Sequence, residues 1–165
     1  MSTVAARITD VLADRLTQIT VANGYSCNAG LRLYRGVYGM DDAADIEAQG
    51  PVVVIGPGEA PTVALTDAYE ERLQMEMSLT VTALDRPVAP TTALDTCHAL
   101  LGDLQRAIFP ALFGPLRDAG GQVLASEAEM VGATLFPPGP GQSLSAASMD
   151  LTVRYFQRRA DPTQT

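Results

Sequence analysis

A chain of 165 residues, 47% of them apolar, can bury one core without disulfide staples, and its 14 Gly and 11 Pro imply substantial loops, not pervasive disorder. Eleven Lys plus Arg against 19 Asp plus Glu give a formal charge of −8, with no local basic cluster to offset it. That balance argues against binding a phosphate backbone as the main activity.

The N-terminal M-S-T-V-A-A-R-I-T-D carries an early acid and lacks the basic-then-apolar pattern of a signal peptide. Thr3 can cap a first helix whose Ala5, Ile8, Leu12, Leu16 and Ile19 form one stripe, with Arg7, Asp10, Asp14 and Thr17 opposite. The pattern predicts that this helix ends near Asn23-Gly24. Tyr25 to Gly30 then reads as a turn-rich connection, and Leu31 to Tyr38 as a strand with Gly36 at a bulge.

The segment Met40 to Gln49, with Asp41, Asp42, Asp45 and Glu47, reads as a solvated acidic loop. Pro51 to Ile55 is a continuous β-branched run suited to a buried strand, which G-P-G-E-A-P is expected to break. Gly56 to Asp67, containing Glu59, is weakly patterned and predicts a loop or mobile β-arm.

From Leu73 to Leu84 the chain alternates Leu73, Met75, Met77, Leu79, Val81 and Ala83 with Gln74, Glu76, Ser78, Thr80 and Thr82. This is the period of a strand with one buried face, at ~3.3 Å per residue roughly 40 Å long, and it predicts the centre of an antiparallel sheet. After Pro90, Thr92 and Asp95 supply a capping signal for a second helix. Its stripe is Leu94, Cys97, Leu101, Leu104 and Ile108, its opposite face Asp95, Ala99, Asp103 and Arg106, and Pro110 its end.

Val123-Leu124 and Ala133 to Phe136 read as short strands, and P-P-G-P-G as a turn. Met149, Leu151, Val153 and Tyr155 alternate with polar residues in a last strand. The expected fold is α+β: a mostly antiparallel or mixed sheet of about four to five strands with two amphipathic helices packed on one face. Residues 1–157 form a single domain and 158–165 a flexible tail.

No catalytic, cofactor or metal site stands out. His98 lies beside Cys97, but adjacent helix residues diverge by roughly 100°, so the two cannot act as base and nucleophile on one group. Cys27 and Cys97 have no C-x-x-C spacing and read as reduced cytosolic thiols. G-P-G-E at Gly56 to Glu59 lacks the lysine of a phosphate loop, and the acids Asp41 to Glu47 lack calcium-loop spacing. No apolar run approaches ~18 residues, so no membrane span is expected.

The ordered features R-L-T-Q-I-T-V-A-N-G-Y, L-Y-R-G, P-V-V-V-I-G-P-G-E, L-T-V-T-A-L, L-G-D-L-Q-R-A-I-F and M-D-L-T-V-R-Y-F-Q-R-R-A-D-P resemble the tail terminator, or tail completion, proteins of long-tailed bacteriophages. The resemblance covers nearly the whole chain. It implies a non-enzymatic virion protein at the tail–neck junction, made in the host cytoplasm, that forms a homo-oligomeric ring, expected to be a hexamer. The ring would contact the tail tube protein on one side and the head or neck connector on the other, with DNA only passing through its lumen, and needs no cofactor. Asp41, Asp42, Asp45, Glu47, Glu59 and Asp67 are the candidate residues facing a neighbouring subunit, the tube or the lumen. The alternatives are a head-completion or neck adaptor ring and, from a different class, a small-molecule-binding domain.

Overall fold

The computed structural model describes residues 2–36, 50–58, 61–65, 71–110 and 115–165. Its centre is the alternating stretch: β4 (Arg72–Asp85) pairs antiparallel along its full length with β8 (Ser145–Arg158), from Arg72 opposite Arg158 to Asp85 opposite Ser145. On the other side of β4, β2 (Val52–Pro57) pairs with its C-terminal half and β3 (Thr62–Leu65) with its N-terminal half. A three-residue β1 (Leu33–Arg35) runs parallel to β2, and β7 (Glu127–Phe136) closes the far side against β8. Among the described residues the main sheet thus has six strands, and β5 (Leu116–Arg117) with β6 (Val123–Ala125) forms a separate two-stranded ribbon.

Both helices cover one face. Met75, Met77, Leu79, Val81 and Ala83 of β4 and Ala147, Met149, Leu151, Val153 and Tyr155 of β8 are buried against them. The first helix, α1 (Val4–Leu16), buries Val4, Ile8, Leu12, Ala13 and Leu16, and Thr3 caps it by accepting from the Ala6 amide at 3.2 Å. The second, α2 (Ala93–Ile108), joins the same core through Leu100, Leu104, Ala107 and Ile108. Arg15 of α1 donates to the Ile108 carbonyl at 2.6 Å, satisfying an end-of-helix acceptor on α2.

The α+β class with two helices on one face is as expected from the pattern, whereas the strand count is larger. The difference arises where pairing overrides local texture. Gly56 and Pro57 continue β2 opposite Thr80 and Leu79, although Gly-Pro was expected to end it. Within Gly56–Asp67, expected to be a loop or mobile β-arm, Thr62–Leu65 is the strand β3. The predicted Ala133–Phe136 strand begins at Glu127, because a bulge between Met130 and Gly132 breaks the alternation that would have revealed it. Helix α1 stops at Leu16. Asn23 lies in a separate 3-10 turn closed by Gly24 at φ +79°.

Helix α2 is also rotated from its predicted phase. Leu94 is exposed and Leu101 only half-buried, while Ala93, Leu100 and Asp103 turn inward. Thr92 bonds backward to Ala89 and makes no side-chain bond to the helix amides, so the T-x-x-D box does not form. Residues 158–165, expected to be a flexible tail, have named partners. The Pro162 carbonyl accepts from the Val4 amide at 3.0 Å, Arg159 N donates to the Glu71 carbonyl at 2.8 Å, and Gln122 Nε2 donates to Thr165 Oγ1 at 3.0 Å.

Candidate functional site

Asp41, Asp42, Asp45, Glu47, Glu59 and Asp67 lie outside the described residues, as do Val37 and Tyr38 of the predicted first strand. The described candidate surface is the face of the sheet that neither α1 nor α2 covers. Because strand residues alternate, burying the odd-numbered residues of β4 and β8 commits the even-numbered ones to this second face.

Cross-strand bonds knit that face together. Arg154 of β8 donates from Nε to Glu76 Oε2 of β4 at 2.9 Å and from Nη1 to Glu127 Oε2 of β7 at 2.8 Å, bridging three strands. Thr80 Oγ1 donates to Asp150 Oδ1 at 2.8 Å, and Thr82 and Ser148 hydroxyls meet at 3.0 Å. The two carboxylates hold the Arg154 guanidinium charged, raising its pKa further. Apolar packing returns at one end, where Val52 and Val54 are buried with Leu84 and Leu144 beside them.

Charge is divided unevenly along the sequence. All 11 cations of the chain are arginines, and all lie within the described residues. Seven of the 19 carboxylates, Asp41, Asp42, Asp45, Glu47, Glu59, Asp67 and Glu70, do not. The described scaffold is therefore close to neutral, and the surplus acid belongs to the remaining stretches of sequence.

Asp103 is the polar residue whose burial the helix pattern missed. Only 7% exposed, it accepts at Oδ2 from the Ser26 amide at 2.9 Å and from the Ser26 hydroxyl, with Cys27 Sγ at 3.9 Å. The carboxylate thereby ties the Tyr25–Asn28 turn to α2, and Arg106, one turn on, stacks over the Tyr25 ring at 3.7 Å from its centroid. Burial first, with the Asp103 and Asp85 charges adding, pushes the Cys27 thiol up to about 11, so at neutral pH it is protonated and not poised as a nucleophile. Cys97 is buried and His98 exposed, so the two point apart as the helix geometry requires.

Asp103→Ala would leave the Ser26 amide and hydroxyl without their acceptor, at a cost of about 1–3 kcal/mol. Asp103→Asn keeps one acceptor oxygen and should cost less. Urea unfolding of the two variants tests this order, and equal stabilities would show that the turn is held by packing alone.

Among the described residues no group of three or more His, Cys, Asp or Glu is placed to hold a metal ion. No described helix is long and apolar enough to cross a membrane. Comparison with family models and with curated proteins finds no match for this chain. What the described geometry offers is a sheet face cross-linked by polar side chains, with exposed Phe136 and Phe156 and specific charges on it.

Proposed function

We propose that this protein is a structural subunit of a bacteriophage tail, a tail terminator that assembles as a sixfold ring on the finished tail tube. The ring ends tube polymerisation and offers the head or neck its attachment surface, without catalysis. The observation that carries the reading is the division of the sheet among the described residues: one face sealed by α1 and α2, the other free of both helices and cross-linked by side-chain bonds. A subunit that must be soluble alone and then join neighbours is well served by such a face, because polar groups tolerate both water and a wet interface. The ordered sequence features that resemble the family support the same assignment.

The acid surplus at Asp41–Glu47, Glu59 and Asp67 suits a channel wall. Carboxylates along a lumen repel DNA and keep it from adhering during passage. Electron microscopy of the purified protein, alone and mixed with tail tube protein, tests the proposal. Discrete sixfold rings that cap tubes and enclose a net acidic channel are expected. Open filaments, or a monomer that binds no tail component, would overturn it. Rings that bind the connector and ignore the tube would instead favour a head-completion adaptor.

A further inference from the structure

The face free of α1 and α2 carries two patches of opposite sign that form no ion pair among the described residues. At one end Arg72 and Arg158 are exposed and directly opposite each other on adjacent strands, with Arg159 next in sequence. Among the described residues none of the three is within ion-pair distance of a carboxylate, although Asp161 is near enough to Arg158 to feel its charge. Like charges opposed across a strand pair are destabilising, and among the described residues Asp161, near Arg158 without an ion pair, offsets this pair only in part.

Further along the same face, Asp150 and Glu129 are exposed on adjacent strands. Glu129 faces Thr152, two residues from Asp150, so the carboxylates are diagonal neighbours roughly 7–8 Å apart at the backbone. Asp150 receives only the Thr80 hydroxyl, and the nearby Arg154 already serves Glu76 and Glu127. The positive and negative patches are eight residues apart along β8, about 26 Å at ~3.3 Å per residue, too far to neutralise each other within one copy.

We propose that the Arg72–Arg158 patch is a docking surface for a second copy of this chain, whose Glu129 and Asp150 it engages. Charge complementarity selects the occupant: each copy carries both halves of the contact, and among the described residues neither half forms an ion pair within its own copy. Because the two patches differ, one copy can pass the contact on to the next, and repetition of such a contact closes a ring or extends a filament. The inference deepens the ring reading above, and its head-to-tail form rests on that reading. Arginine suits the role, since its planar fork binds carboxylate bidentately.

The test is charge reversal read by analytical ultracentrifugation and electron microscopy, with circular dichroism confirming the fold. In Arg72→Glu/Arg158→Glu and in Glu129→Arg/Asp150→Arg, self-association should weaken at least tenfold. The fourfold variant carrying both reversals should recover it. Its sensitivity to salt should match that of the natural chain, as an interfacial charge contact requires. Rings that persist unchanged in both double variants would overturn this contact while leaving the ring reading in place. A natural chain that forms only reversal-sensitive dimers would uphold the contact and overturn the ring. A natural chain that stays monomeric would overturn both. Binding of DNA that depends on Arg72 and Arg158, with self-association unaffected, would assign the patch to nucleic acid and overturn the proposal.

Discussion

Leu79→Asp is expected to abolish soluble folding. Leu79 is only 7% exposed, lies opposite Leu151 at the middle of the β4–β8 pair and faces the core that both helices seal. A carboxylate there has no cation within the apolar layer, and burying it unpaired costs several kcal/mol, comparable to the whole stability of a domain. A matched control must carry its charge on the uncovered face without meeting another carboxylate. Thr80 does not qualify, because it already bonds Asp150, so Thr80→Asp would set two acids side by side and cost something of its own. Gln74→Glu comes closest: it lies on the face free of α1 and α2, two residues from Arg72, and Glu76, equally near, is already paired with Arg154. Soluble yield and far-UV circular dichroism of the three variants should rank Gln74→Glu near the natural chain, Thr80→Asp below it and Leu79→Asp absent from the soluble fraction. A soluble, folded Leu79→Asp would mean that this face of the sheet is not the core.

Gly30→Ala is expected to destabilise the protein strongly. Gly30 is buried where the chain doubles back past the end of α1, its amide donating to the Ile19 carbonyl at 2.9 Å. A Cβ built there would sit 2.5 Å from the Leu16 carbonyl oxygen and 2.7 Å from that of Thr17. Both are backbone atoms at a helix terminus and cannot swing away as a side chain would. Overpacking of this kind costs about 3 kcal/mol, which lowers the melting temperature of a domain this size by about 10 °C. Gly102 supplies the contrast. It is exposed in the interior of α2 with nothing within 4 Å of its would-be Cβ, so Gly102→Ala should stabilise the protein by about 0.5–1 kcal/mol. Thermal unfolding of the two variants should move in opposite directions. A Gly30→Ala protein as stable as its parent would show that the α1 terminus yields.

Several of these features are legible in the amino-acid order alone. Alternation is a local property: a strand with one buried face must repeat every two residues, so β4 and β8 declare themselves, as does the β-branched β2. Thr3 announces the start of α1, because an N-cap acts on amides three residues away. The two-helix, one-face α+β arrangement follows from two apolar stripes and a sheet with one apolar side.

What only the tertiary structure decided depends on partners distant in sequence. Pairing with β4 holds Gly56-Pro57 and Thr62–Leu65 in the sheet, since a neighbour's hydrogen bonds outweigh weak local propensity. The bulge at Met130–Gly132 hid half of β7 by shifting its parity. Asp103 read as solvent-facing because its partners, Ser26 and Cys27, are more than seventy residues away, and only their arrival makes a buried carboxylate tolerable. The opposed Arg72 and Arg158, likewise, become one patch only through the register of two strands whose sequences are silent about each other.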